Sequence, residues 1–361
     1  MKKPISILTA LFICMIANAG EVTEQQALQK AINFMQGKTL SSSKPKRLHR
    51  APSQNAKCNA YYVFNAEDNG GFVIVSGDDR TEEILGYADS GNFDTSNMPS
   101  NVKAWLGYYE QVIRSLGDQQ IQTAPRRVER ADIAPMVKTA WGQDSPYNNL
   151  CPDHSMTGCV ATAMAQVINY HQWPISTIVP IPGYTTSSRG ITVDEQPVTT
   201  FNWSNMNSDE VAKLMLYCGA SVEMEYGPWE SSASDASIAP ALKKYFGYDQ
   251  QTRWVSRSDY GIDEWESLIY SELEAGRPVV YGGYTIDVGH EFVCDGYRDG
   301  LFHINWGWDG IFDAYYSLSI LNPGGTGIGG SSYGDGYSSG QSAVIGIQKP
   351  TGQTVDNQKT L

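Results

Sequence analysis

From residue 159 to residue 171 the chain reads CVATAMAQVINYH. Val160, Ala163, Met164, Val167 and Ile168 fall at the i, i+3, i+4, i+7 and i+8 positions of one face, which predicts an amphipathic helix. Pro174 marks its stop. Further helices are expected over 23–36, in NVKAWLGYYEQVIRSLG, in SDEVAKLMLYCGASV and near IAPALKKYFG. Strands are expected at AYYVFNA, GGFVIVSGD and ILGYADSG, which are rich in β-branched and aromatic residues. The basic, polar stretch 41–56 reads as a loop. In the final third, strand patterns dominate. DVGHEFVCDGY and LFHINWGW flank the turn YRDG and predict a hairpin that brings Asn305 back towards the end carrying His290. Helices first and sheet later make the second half α+β.

The segment 117–135 interrupts these patterns: it is polar, carries Pro125 and Pro135, and includes Arg126, Arg127 and Arg130. Such a stretch is a protease-accessible linker, with a small α+β unit before it and about 230 residues after it. At the start of the chain, Lys2 and Lys3 precede an apolar run ending in Ala17-Asn18-Ala19, the pattern of a secretory signal peptide. The chain is therefore expected to be exported. No later segment has the roughly 18 to 20 apolar residues that a membrane helix requires.

Charge and cysteine usage narrow the class. The net charge is −13, and no Lys/Arg cluster interleaved with aromatics is present, so the electrostatic footprint of a nucleic-acid binder is missing. Five cysteines follow the signal, Cys58, Cys151, Cys159, Cys218 and Cys294, and an odd count leaves at least one thiol free or intermolecular. No pair has zinc-ligand spacing, and neither a metal nor another cofactor is expected. Gly325, Gly327 and Gly330 in GGTGIGG satisfy a nucleotide-loop pattern by letter, but no helix follows them, so a mobile loop near a cleft is the expectation.

The remaining chemistry centres on Cys159. It sits in a first helical turn, where unpaired N–H groups and the helix dipole favour a thiolate. A nucleophilic thiol needs a histidine to move its proton and a third group to orient the ring. Of five histidines, His171 is at the far end of the same helix, about 18 Å away at 1.5 Å per residue. His49 precedes the linker, His154 lacks a following orienter, and His303 alternates with apolar neighbours as a strand histidine. His290 remains, about 130 residues beyond Cys159, a separation found in papain-type enzymes. Asn305 would hold its ring, and Trp306 or Trp308 would shield that hydrogen bond from water. Gln143, sixteen residues before Cys159, would join the Cys159 N–H in stabilising an oxyanion.

Several separated segments carry a family likeness: GQDSPYN, TGCVATAMAQVINYH, YGPWESSAS, GHEFVCDG, NWGWDG and GYSSGQSAVIGI. With these the chain resembles the streptopain-like cysteine proteases, secreted bacterial relatives of papain. Upstream, GGFVIVSGDDR and EILGYADSGNFD are similar to that family's inhibitory prosegment. The resemblance implies a papain-like fold with a helical lobe and an antiparallel sheet lobe, divided as signal peptide 1–19, prosegment 20–130 and catalytic domain 131–361. It implies Cys159 and His290 as the catalytic dyad of an endopeptidase made as a zymogen, with Gln143 and Asn305 assisting. Ser232, Gly289, Trp306 and Trp308 are its expected substrate contacts. Implied partners are protein or peptide substrates and the prosegment itself. Two alternatives stand beside it: a papain-like amidase acting on cell-wall peptides, and an inactive binding protein, which would be expected to lose Cys159 or His290.

Overall fold

The computed structural model describes residues 20–38, 47–52, 60–117, 129–284, 289–319 and 340–351. The signal-like segment, Arg126 and Arg127 of the linker, Cys58 and the glycine-rich stretch around Gly327 lie outside these residues.

The first unit contains helix α1 (Glu24–Lys38), strands β1 (Leu48–Arg50), β2 (Tyr61–Ala66), β3 (Phe72–Ser76) and β4 (Ile84–Ala88), and helix α2 (Ser100–Ser115). β1 falls inside the stretch expected to be loop; it pairs antiparallel with β2, Leu48 opposite Ala66. The second unit begins with the predicted helix, α3 (Cys159–His171), which ends with Gln172 in the left-handed region. It continues through β5 (Tyr184–Thr185), β6 (Thr192–Val193), α4 (Ser208–Ser221), α5 (Ile238–Phe246), β7 (Arg253–Ser256), α6 (Ile262–Glu274), β8 (Val279–Tyr284), β9 (Gly289–Arg298), β10 (Leu301–Asn305), β11 (Ala314–Tyr316) and β12 (Gln341–Ile345). Helix α6 was not among the expected elements. Trp265, Ile269 and Leu273 form its buried face, and Gly261 N–H donates to the Glu264 carboxylate to cap its start.

Two units of sequence build one sheet. Its strand order is β1-β2-β3-β4-β11-β10-β9-β8-β12-β7, so the edge of the first unit continues into the second through β4 and β11. Tyr87 lies opposite Tyr315 and Gly86 opposite Tyr316. A side chain on Gly86 would meet Tyr315 O at 3.0 Å and the Tyr316 ring at 3.1 Å, so the close approach at this junction favours glycine. Arg298 and Asp89 add an ion pair of 2.7 Å across it.

The two faces of the sheet bury different cores. On one, Trp105, Leu106 and Tyr109 of α2 pack with Phe292, Ile304, Trp306 and Tyr316, so the first unit and the second share a single hydrophobic interior. Tyr109 accepts from Trp105 Nε1 and donates to Ser317 O across the same boundary. On the other face, α3, α4 and α5 pack against Val280, Val293 and Val344. α1 covers β2 and β3 with a smaller core that includes Ala27, Ala31, Phe64 and Val73.

The end of the linker is tied down. Ile133 exchanges both backbone hydrogen bonds with Tyr297, at 2.7 and 2.8 Å, and Arg130 lies over the Tyr270 ring and donates to Ser267. From Arg130 onwards the linker is therefore held against the second unit.

Candidate active site

Cys159 opens α3 because Gly158 precedes it. Gly158 is the N-cap with φ of 84°, and a β-carbon there would stand 2.7 Å from Met224 and 3.0 Å from Ser231 O. Only glycine allows the chain to enter the helix this tightly. The lead-in is braced on both sides: Thr157 N–H donates to Gln143 O at 3.0 Å, and Ser231 Oγ donates to Met156 O at 2.7 Å. The same Ser231 hydroxyl accepts from Gly227 N–H, which anchors the loop carrying Trp229 and Glu230 beside the nucleophile.

His290 stands on β9, paired with Gly283 of β8. Side chains alternate along a strand, so His290 shares its face with Phe292 and Cys294, while Glu291 shares the opposite face with Val293, towards α3. Cys159 and His290 line one cleft of 520 Å³. Gln143, Val160, Trp229, Glu230, Ser231, Ser232, Gly289 and Trp308 also line it, together with Ser100 from the start of α2. Six of the eight expected site residues are thus brought to one cavity: Cys159, His290, Gln143, Ser232, Gly289 and Trp308.

Asn305 and Trp306 are placed differently. The hairpin β9–β10 forms as expected, but its register puts Asn305 opposite Val293, three positions from His290. Asn305 is 3% exposed and its amide is engaged elsewhere: Oδ1 accepts from Gln166 Nε2 at 2.9 Å and from Gly307 N–H at 3.1 Å, and Nδ2 donates to Thr139 O at 2.8 Å. It does not hold the imidazole in this state. Through Gln166, two turns along α3 from Cys159, Asn305 ties the nucleophile's helix to the sheet. Asn305→Ala is therefore expected to lower stability, by about 1–3 kcal/mol for each buried partner left unpaired, and urea denaturation would read the loss. Trp306 is buried among Trp105, Phe292 and Tyr316 rather than facing the cleft.

The electrostatics favour the uncharged form of both groups. Burial pushes the Cys159 thiol up to about 11, against N–H groups of Glu291, Val160 and Cys159 itself that favour its charged form; the Glu291 carboxylate also pushes it up. Burial alone holds the His290 imidazole down at about 4. Near neutral pH this leaves a thiol and a neutral ring. The ring is also occupied, since His290 Nε2 lies 3.1 Å from Ser100 Oγ, while its Nδ1 is buried without a partner. The other histidines of the second unit with hydrogen-bonded rings are used elsewhere: His303 Nδ1 is 2.6 Å from the buried Asp295 carboxylate, and His171 Nδ1 is 3.2 Å from the Tyr248 hydroxyl. Gln143 is 5% exposed, and its side-chain Nε2 is buried without a partner beside Cys159.

Among the cleft residues not expected from sequence, Ser100 and Glu291 bear most directly on the Cys159–His290 pair. Ser100 is separated from His290 by 190 positions, and no local pattern marks such a contact. Glu291 did leave a signal, an acid inside the otherwise apolar strand run that follows His290. Cys151, Cys218 and Cys294 are buried free thiols, and Cys159 is a free thiol, half-buried.

Comparison with known proteins adds a lineage to this geometry. Residues 141–316 match the Peptidase C10 family, and residues 19–113 match the Spi protease inhibitor. Streptopain of Streptococcus pyogenes is 36% identical over 80% of this chain and 80% of its own length. The chain belongs to the peptidase C10 family. It is a cysteine-type peptidase joined to an inhibitor prosegment, and hence a protease zymogen. The thiol protease/hemagglutinin PrtT of Porphyromonas gingivalis is 34% identical over 96% of this chain, which spans 44% of that longer protein. Among solved structures, a mutant fragment of Prevotella intermedia prointerpain A, with alanine in place of a cysteine, superposes with a TM-score of 0.70 at 32% identity, covering 83% of this chain and 99% of that one. Active interpain A from the same organism superposes with a TM-score of 0.53 at 33% identity, over 63% of this chain and 99% of that one. Among the described residues no helix is long and apolar enough to cross a membrane, and no cluster of metal-ligating side chains is present.

Proposed function

We propose that Cys159 and His290 are the catalytic dyad of an exported endopeptidase, held latent by residues 20–130 and released by a cut in the linker between residues 122 and 135. The meeting of Cys159, His290 and the unpartnered Gln143 amide in one cleft carries this reading. Once the imidazole is free of Ser100 it takes the thiol proton, and the sulfur attacks the peptide carbonyl. The oxyanion that forms receives the Gln143 amide and the Cys159 N–H. The ring then returns its proton to the leaving amine, and water resolves the acyl-enzyme in a second, similar step. Ser232, Gly289 and Trp308 contact the substrate chain, while Asn305 and Trp306 act from behind the cleft.

Latency follows from the same contacts. Ser100 engages one nitrogen of the His290 ring and fixes its orientation, and the shared core around Trp105 holds α2 over β9. A tethered inhibitor acts at high effective concentration, which falls when the linker is cut. The decisive experiment is to treat the processed protein with an epoxide thiol inhibitor and map the adduct by mass spectrometry. Label on Cys159, lost in His290→Ala, is the expected result; label on Cys151, Cys218 or Cys294 would reject the assignment. Gln143→Ala is expected to lower kcat by about 10²- to 10³-fold, the cost of one oxyanion donor, with KM for a casein-derived peptide little changed.

A further inference from the structure

Beside the thiol and the imidazole, the titratable residues lining the cleft are both acids, Glu230 and Glu291, and among the described residues no lysine or arginine lines it. Glu291 is 3% exposed, so its carboxylate acts on the cleft with little screening by water. Its placement is built rather than incidental. Glu291 is paired with Gly282 of β8, and Gly282 in turn with Ser342 of β12. A β-carbon on Gly282 would stand 2.3 Å from the Glu291 carboxylate and 2.6 Å from Ser342 Oγ, so the missing side chain at 282 makes room for the acid. Ser342 Oγ donates to Asp235 at 2.7 Å, which places a third carboxylate next in the row. Independently, the buried and unpartnered Gln143 amide lines the same cleft and calls for an occupant with a carbonyl oxygen.

We infer that the cleft selects polypeptides with a lysine or arginine beside the scissile bond, and that Glu291 is the residue that selects them. The inference rests on Cys159 being the nucleophile. A cationic side chain is drawn to a cleft whose fixed charges, among the described residues, are negative; a neutral one of equal size gains nothing from them, and an acidic one is repelled. The chain contains a segment of the required kind, because APRRVERAD, at residues 124–132 where self-cleavage is expected, is rich in arginine. A bound cation would also screen the Glu291 charge that pushes the Cys159 thiol up, so the matching substrate favours the thiolate that attacks it.

The test compares peptides that differ only in arginine or citrulline, its uncharged isostere, at either of the two residues before the scissile bond. The full chain is first allowed to process to completion. Arginine should raise kcat/KM by about 10- to 100-fold at one of these positions, the range for a hydrogen bond to a charged group. Glu291→Gln should bring the ratio close to one, and Glu230→Gln should leave the preference in place. Equal rates for the two peptides with the wild-type protein would overturn the inference while leaving the peptidase reading intact, and this ratio decides the matter whether or not the variant folds. Preference retained in Glu291→Gln, or lost in Glu230→Gln instead, would overturn the assignment to Glu291. A processed protein that cleaves neither peptide and takes no epoxide would overturn both readings.

Discussion

Cys159→Ala will leave the precursor at full length, whereas the wild-type chain will shorten to a product beginning between residues 122 and 135. Removing the nucleophile from a catalytic group that acts as a unit typically lowers kcat by about 10⁶-fold, which is enough to stop self-processing on any laboratory timescale. The downstream limit of the cut is already visible. Arg130 and Ile133 are held by Ser267, Tyr270 and Tyr297, which favours cleavage on their N-terminal side. N-terminal sequencing of the product checks the position, and added wild-type enzyme should process the Cys159→Ala precursor in trans. A Cys159→Ala precursor that matured alone in a protease-free preparation would reject autocatalysis and leave the dyad untouched.

The second large effect is on the thiol itself. With its pKa raised to about 11, Cys159 in the precursor is ionised to roughly one part in 10⁴ at pH 7, because each pH unit below the pKa is a factor of ten. Its alkylation by iodoacetamide should therefore be slow at neutral pH and climb with pH towards about 11. In the proposed mechanism, processing removes Ser100 from the imidazole and opens the cleft to water, which would raise the His290 pKa from about 4 and lower that of the thiol. Once the two values cross, the pair is a thiolate and an imidazolium between them. Activity should then rise as the thiolate forms and fall as the imidazolium loses its proton, giving a bell-shaped profile that His290→Ala abolishes. Peptide mapping of Cys159 in precursor and product from one sample would measure the change, and an increase of at least about 100-fold at pH 7 is expected, two pH units' worth of ionisation. Equal labelling of Cys159 in both forms would show that latency does not act through the thiol.

Much of this was legible along the chain. Apolar spacing located α3, α4 and α5, and the runs of aromatic and β-branched residues located β2, β3 and β4, because periodicity records which side of an element meets a core. The hairpin β9–β10 followed from two such runs around a tight turn. Of its two histidines, His303 is engaged by the Asp295 carboxylate, whereas His290 lines the cleft with Cys159. Gly158 next to Cys159 was visible as a letter; its positive φ and the close approach of Met224 give the reason.

Other features depend on contacts between distant residues, and no local pattern encodes them. The union of two sequence units into one sheet rests on a few backbone pairs between β4 and β11 and on glycine at 86. Hydrophobic pattern alone cannot say which edge meets which, because backbone groups pair irrespective of side chain. The hairpin's register, with its irregularity between His303 and Ile304, moved Asn305 away from the ring and into a bond with Gln166. A single position in register exchanges one face of a strand for the other, so a shift too small for a sequence to reveal changes an orienting residue into a structural brace. Ser100 beside His290, and the Glu291 carboxylate over Gly282, were likewise decided only when the chain closed on itself. Sequence determined which residues have the chemistry of a cysteine peptidase; tertiary packing decided which of them face the cleft, and left its thiol and imidazole in their uncharged forms.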